Sequence, residues 1–152
     1  MLSLPAHTQE PAPRERSAFN ADWRFSKGEP AGGAGASDVD DSAWRKLALP
    51  HDFGIEGPFQ QAYQGETGKL PWWGVAWYRK HFVVPASDAG RRVYLDIDGA
   101  MSHATVWLNG KQVGAWPYGY TSFRVDLTAQ LKVGQDNVLA IRVDNPADSS
   151  RW

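Results

Sequence analysis

Cysteine is absent from this 152-residue chain, which removes disulfides, thiol nucleophiles and cysteine-ligated zinc from consideration. That absence leaves the compartment open, because many exported proteins also lack cysteine. An excess of either charge is missing too: sixteen basic residues face seventeen acidic ones, for a net charge of −1. Without a basic patch to meet phosphates, nucleic acid is excluded as an expected partner. No apolar run approaches the roughly 20 residues that a membrane-spanning helix needs, so no membrane partner is expected. The four histidines, His7, His51, His81 and His103, are scattered, with no i, i+2 or i, i+4 spacing to present two imidazoles to one ion. Neither a Gly-x-Ser-x-Gly elbow nor a phosphate-cradling Gly-x-x-x-x-Gly-Lys-Ser/Thr loop occurs. No metal and no cofactor is therefore expected, and covalent or phosphoryl chemistry finds no support.

What is present describes one folded domain. Hydrophobic residues make up 42% of the chain and aromatics 12%, enough for a two-layer core at this length. Residues 1–17 are polar and hold Pro5, Pro11 and Pro13, so they read as a flexible tail ahead of a domain spanning 18–152. The opening Leu2-Ser3-Leu4-Pro5-Ala6 is compatible with the stub of a trimmed signal peptide, although the positive and apolar regions of such a signal are missing. This leans the compartment toward periplasm or secretion.

The clearest pattern runs from Arg91 to Gly119. Val93, Leu95 and Ile97 alternate with Tyr94, Asp96 and Asp98, then Ala104, Val106 and Leu108 repeat the period of two expected of strands with one buried face. Asn109-Gly110 follows directly, and both residues tolerate positive φ, which predicts a two-residue type I′ hairpin. Further strands are expected over Phe19–Phe25, Val75–Val84, Phe123–Leu127 and Asn137–Asp144. Trp77 and Tyr78 are both large, so the facing of their strand stays open. Asp40-Asp41-Ser42 reads as an N-cap for about one helical turn over Ala43–Leu47, and Asp126 caps another before Leu131. Ala48–Gly74, rich in glycine and proline, is expected to be a long loop, and such loops usually serve as binding or docking surfaces. Six to eight short strands without a long amphipathic helix predict an all-β antiparallel sandwich, of the jelly-roll kind.

Candidate chemistry is sparse. Asp96 and Asp98 share a strand face at roughly 7 Å, near the spacing of a glycosidase carboxylate pair. A solvated face offers nothing to raise one pKa, so ordinary surface acids are the favoured reading. His51-Asp52 point apart if extended, and a loop histidine commonly bonds backbone. Eight tryptophans are the compositional oddity. Indole stacks on the C–H faces of sugar rings, so clustered loop tryptophans can mark a carbohydrate surface. Trp23, Trp44 and Trp107 read as packing. Trp72, Trp73, Trp116 and Trp152 stand open between packing and carbohydrate contact.

Several motifs occur in one order: Leu49-Pro50-His51-Asp52-Phe53, Ala76-Trp77-Tyr78-Arg79-Lys80-His81-Phe82, Tyr94 to Ala100, Val106-Trp107-Leu108-Asn109-Gly110, and Val143-Asp144-Asn145 through Ser150-Arg151-Trp152. Together they resemble the N-terminal domain of family 2 glycoside hydrolases, most like the β-galactosidase branch. The resemblance implies a galactose-binding-domain-like jelly roll cut from a longer multidomain enzyme. Catalysis in that family rests on two glutamates of a separate barrel, so the resemblance implies no catalytic residue here. It implies a non-catalytic accessory domain that braces the barrel and lends loop residues to its rim, with the remaining domains as partners and a galactoside-type carbohydrate nearby. The rim candidates are Trp72, Trp73, Arg151 and Trp152. The alternative is a stand-alone carbohydrate-binding module that uses the same loop tryptophans.

Overall fold

A computed structural model describes residues 14–62 and 73–146. Among the described residues, eight strands form two sheets: β1 (Trp23–Lys27), β2 (Arg45–Leu47), β3 (Gly74–Val83), β4 (Tyr94–Ile97), β5 (Ala104–Leu108), β6 (Lys111–Trp116), β7 (Phe123–Asp126) and β8 (Asp136–Asn145). The larger sheet has the order β2-β1-β3-β8-β5-β6 and the smaller one pairs β4 with β7, every pairing antiparallel. Among the described residues the only helical turns are short 3-10 segments, at Phe53–Glu56, Ala86–Asp88 and Thr128–Gln130. This is the all-β antiparallel sandwich that the alternating pattern predicts.

The main core lies between the sheets. Trp23, Phe25, Tyr78, Val106, Leu108, Leu139 and Ile141 on the large sheet meet Leu95 and Val125 on the small one, with Phe53 and Leu127 closing the sides. The Arg91–Gly119 stretch divides at its midpoint. β4 joins the small sheet and β5 the large one, so Asp98–His103 crosses between layers. The hairpin falls where expected, with φ of 52° at Asn109 and 84° at Gly110. The first strand starts later than the Phe19–Phe25 pattern predicts. Asp22 takes a left-handed φ of 57° and the Trp23 indole N–H donates back to the Phe19 carbonyl, so the chain turns before it extends.

The open question of Trp77 and Tyr78 has a two-sided answer. Tyr78 enters the main core, while Trp77 lies on the outer face in a second cluster with Ala34 and Ala140, flanked by Trp44 and Trp107. Burial on both faces explains why Ala76–Lys80 are all buried. The outer cover is the glycine-rich segment 28–41, laid across the sheet as a belt. Gly28 N donates to the Val75 carbonyl at 2.7 Å, and Glu29 accepts from the Trp77 indole at 2.8 Å and from Arg142. Arg79, with 0% exposure, donates to the carbonyls of Ala34 and Ala36 at 2.6 and 2.8 Å and to Asp41 Oδ2 at 2.8 Å.

This belt overturns the capping role expected of the acidic trio. Asp41 is buried and turns to Arg79, Arg24 and His81. Burial opposes its ionisation, but the hydrogen bonds and charges of Arg79 and His81 outweigh that and hold its carboxyl below the usual range. Asp40 still accepts from Ser42 N at 3.0 Å, yet no helix follows, because Arg45–Leu47 pairs with β1. A tertiary ion pair took the carboxylate that a local cap would have used.

Candidate functional site

One end of the sandwich opens into a cleft of about 1050 Å³. Register builds its mouth. β3 and β8 pair over ten residues, from Gly74 opposite Asn145 to Val83 opposite Asp136, so Trp73 and Pro146 emerge side by side. Both line the cleft, together with Met101, His103, Tyr118 and Tyr120 from the connections β4–β5 and β6–β7. Trp73 is 39% exposed, Met101 40%, Tyr118 53% and Tyr120 71%. The floor is apolar, with Leu95, Ile97, Ile141 and Val143.

The mouth is held together by backbone ties. Ser102 Oγ donates to the Asp144 carbonyl at 2.9 Å and Asp144 N donates to the Ser102 carbonyl at 2.8 Å. His103 N donates to the Pro117 carbonyl at 3.1 Å, and His103 itself is left-handed at φ 47°. Gly119 closes on Met101 so tightly that a Cβ there would lie 2.9 Å from Met101 Cγ and 3.1 Å from its Cα. These contacts gather two connections and the end of β8 at one end of the fold.

His51 forms part of the cleft wall and bonds side chains rather than backbone. Burial pushes the Tyr78 hydroxyl well up, with the negative charges of Asp52 and Glu56 adding to the effect, so Tyr78 keeps its proton and donates to His51 Nδ1 at 3.0 Å. His51 Nε2 then donates to Glu56 Oε1 at 3.1 Å, and Arg45 holds the same carboxylate. Hydrogen bonds from Arg45 and His51 bring Glu56 down to about 2. With both ring nitrogens hydrogen-bonded, His51 ties the cleft wall to Tyr78 and Glu56.

Of the four residues expected at a rim, Trp73 stands at the mouth; Trp72, Arg151 and Trp152 lie outside the described residues. Both paired aspartates line the cleft, and Asp96 is engaged there by Arg124, Nε to Oδ1 at 2.6 Å and a second guanidinium nitrogen to Oδ2 at 3.0 Å. Trp116 stacks on Phe123 at 5.7 Å and donates to Thr121, and Trp107 packs on Trp77 at 5.1 Å, so both are structural. Sequence reading passed over Tyr118, Tyr120, Met101 and His103, because Pro117–Tyr120 read only as a turn. The available signal was two tyrosines flanking a glycine in a segment with no strand to bury them.

Comparison with known proteins agrees with this geometry. Residues 51–151 match the family described as glycosyl hydrolase 2 galactose-binding domain-like. The β-galactosidase BoGH2A of Bacteroides ovatus is 49% identical over 144 residues, covering 93% of this chain and 17% of that protein. A putative β-glucuronidase of Formosa agariphila is 39% identical over 144 residues, with 93% and 14% covered. Among solved structures, a β-glycosidase from Bacteroides vulgatus superposes with a TM-score of 0.80 at 38% identity, covering 88% of this chain and 18% of that one. The chain thus spans about a sixth of the length of these relatives. On sequence and fold together, it belongs to the glycosyl hydrolase 2 galactose-binding domain-like family.

Proposed function

We propose that this chain is the non-catalytic N-terminal accessory domain of a β-galactosidase-like glycoside hydrolase, its folded part spanning 18–152. It braces the catalytic domain through the cleft end and presents Trp73 to a galactoside-type carbohydrate at the active-site rim, with Trp72, Arg151 and Trp152 as further rim candidates. The observation that carries this reading is the gathering of Trp73, Met101, Tyr118 and Tyr120, all exposed, on one face. The belt covers the outer side of the large sheet, and Tyr94 on the small sheet lies under the Arg124 guanidinium that Asp96 engages. Exposed apolar groups clustered on one face mark an interaction site.

A chimera tests the proposal: the corresponding domain of the B. ovatus β-galactosidase is replaced by this chain, and aryl β-galactoside hydrolysis is compared with a version lacking the domain. Activity restored by the chimera and lost in its Trp73→Ala form is the expected result. A chimera as inactive as the deletion would overturn the reading, and hydrolysis by the 152-residue chain alone would overturn catalytic silence. The exposed Trp73 indole also favours a second reading, an independent carbohydrate-binding module. Saturable binding of galactosides to the isolated chain, abolished by Trp73→Ala, would select it.

A further inference from the structure

Asn109-Gly110 does more than turn a hairpin. In an Asn-Gly pair the glycine amide nitrogen can attack the asparagine side-chain carbonyl carbon. A new C–N bond forms, ammonia leaves, and water then opens the cyclic imide to aspartate or isoaspartate. Glycine favours the attack because no Cβ shields its nitrogen. The reaction needs the Asn109 side chain free to swing onto Gly110.

Here that side chain is fully committed. Asn109 Nδ2 donates to the Gln130 carbonyl at 2.9 Å and to Asn137 Oδ1 at 2.8 Å, while Oδ1 accepts from Val138 N at 3.0 Å. Asn109 N donates to the Val138 carbonyl at 2.8 Å, tying the turn itself to β8. The partner is equally fixed. Asn137, with 0% exposure, accepts from Lys132 N at 2.8 Å and donates to the carbonyls of Lys132 and Gln135 at 2.9 and 3.0 Å. Reaction at Asn109 therefore requires the hairpin to leave β8.

The product cannot return to this place. A carboxylate at 109 keeps one oxygen on Val138 N but puts the other where Nδ2 stood, against Gln130 O and Asn137 Oδ1, so two hydrogen bonds are lost and acceptor faces acceptor. Isoaspartate also lengthens the backbone inside a two-residue turn whose length sets the register of β5 and β6.

We propose that Asn109 is a fold-guarded modification site: intact while the hairpin is docked, converted by water once it opens, and thereafter a chemical mark that bars the chain from refolding. The test incubates the 152-residue chain, folded in buffer or unfolded in concentrated urea at the same pH and temperature, and follows the amide-to-acid mass change of tryptic peptides. Because modification follows the open population, position 109 should convert at least about tenfold faster in urea. Exposed Asn20 serves as the internal reference and should change far less. A native rate within about tenfold of the unfolded one, or a matching acceleration at Asn20, overturns the guard. Asn137→Ser should raise the native rate at 109, and an unchanged rate in a folded variant overturns the assigned lock. Chains already converted at 109 should fail to regain their near-ultraviolet circular dichroism on dilution from urea. Full recovery overturns the bar to refolding.

Discussion

Arg79 Nε donates to Asp41 Oδ2 at 2.8 Å across 38 residues of sequence, and both side chains are buried. This pair fastens the belt to the outer face of the large sheet. Arg79→Met removes the cation but leaves Asp41 and the belt carbonyls buried. Breaking one side of a buried pair costs about 3–5 kcal/mol, so urea unfolding followed by tryptophan fluorescence should show a loss of that size. Arg79→Lys should recover little, since an ammonium cannot match the planar fork. A loss below about 1 kcal/mol in Arg79→Met, the scale of an exposed ion pair, would show that the belt is held by other contacts.

Acid should loosen the fold in a defined window. The carboxyls of Asp41 and Glu56 are both held low, Glu56 at about 2 against an ordinary 4.5. A depressed folded pKa contributes stability that is complete above the unfolded value and is lost as pH falls through the folded one. Unfolding midpoints should therefore drop between about pH 4.5 and pH 2. Glu56→Gln should flatten part of that slope; a profile parallel to the parent would remove Glu56 from the account.

Tyr78→Phe tests the cleft wall. It deletes the hydroxyl that donates to His51 Nδ1 at 3.0 Å and changes almost nothing else in shape. The expected loss is about 0.5–1.5 kcal/mol, the net worth of one hydrogen bond. Nitrogen shifts of the His51 ring should move with it. Unaltered ring shifts would mean that the tyrosine does not set the imidazole.

Gly119→Ala tests how tightly the mouth is closed. The new methyl would meet Met101 at 2.9–3.1 Å, and one of those atoms is backbone Cα, which cannot rotate away. Overpacking of this kind costs about 1–3 kcal/mol, visible as a lowered melting temperature. A melting temperature equal to the parent's would show that the two turns separate freely.

Much of the scaffold was legible in order of residues. Leu95, Val106, Leu108 and Val125 announce their buried faces by alternation, and Asn109-Gly110 announces its turn, because both signals depend only on near neighbours. Resemblance supplied the family, since several motifs recur in one order. The site was less legible. Trp73 stands out as a candidate from its neighbours in sequence, but Tyr118, Tyr120 and Met101 line the same cleft only because register and crossovers deliver their turns to one end.

By itself, the sequence determined most of the strands, β2 excepted, the hairpin and the all-β class, since those follow from side-chain periodicity and backbone sterics within a few residues. Tertiary structure alone decided which sheet each strand joined, that Trp77 faces the belt while Tyr78 faces the core, and that Asp41 pairs with Arg79 instead of capping a helix. The physical reason is the same in each case. A buried charge or indole takes the partner that satisfies it in three dimensions, and local propensity yields because an unpaired buried group costs more than a lost cap.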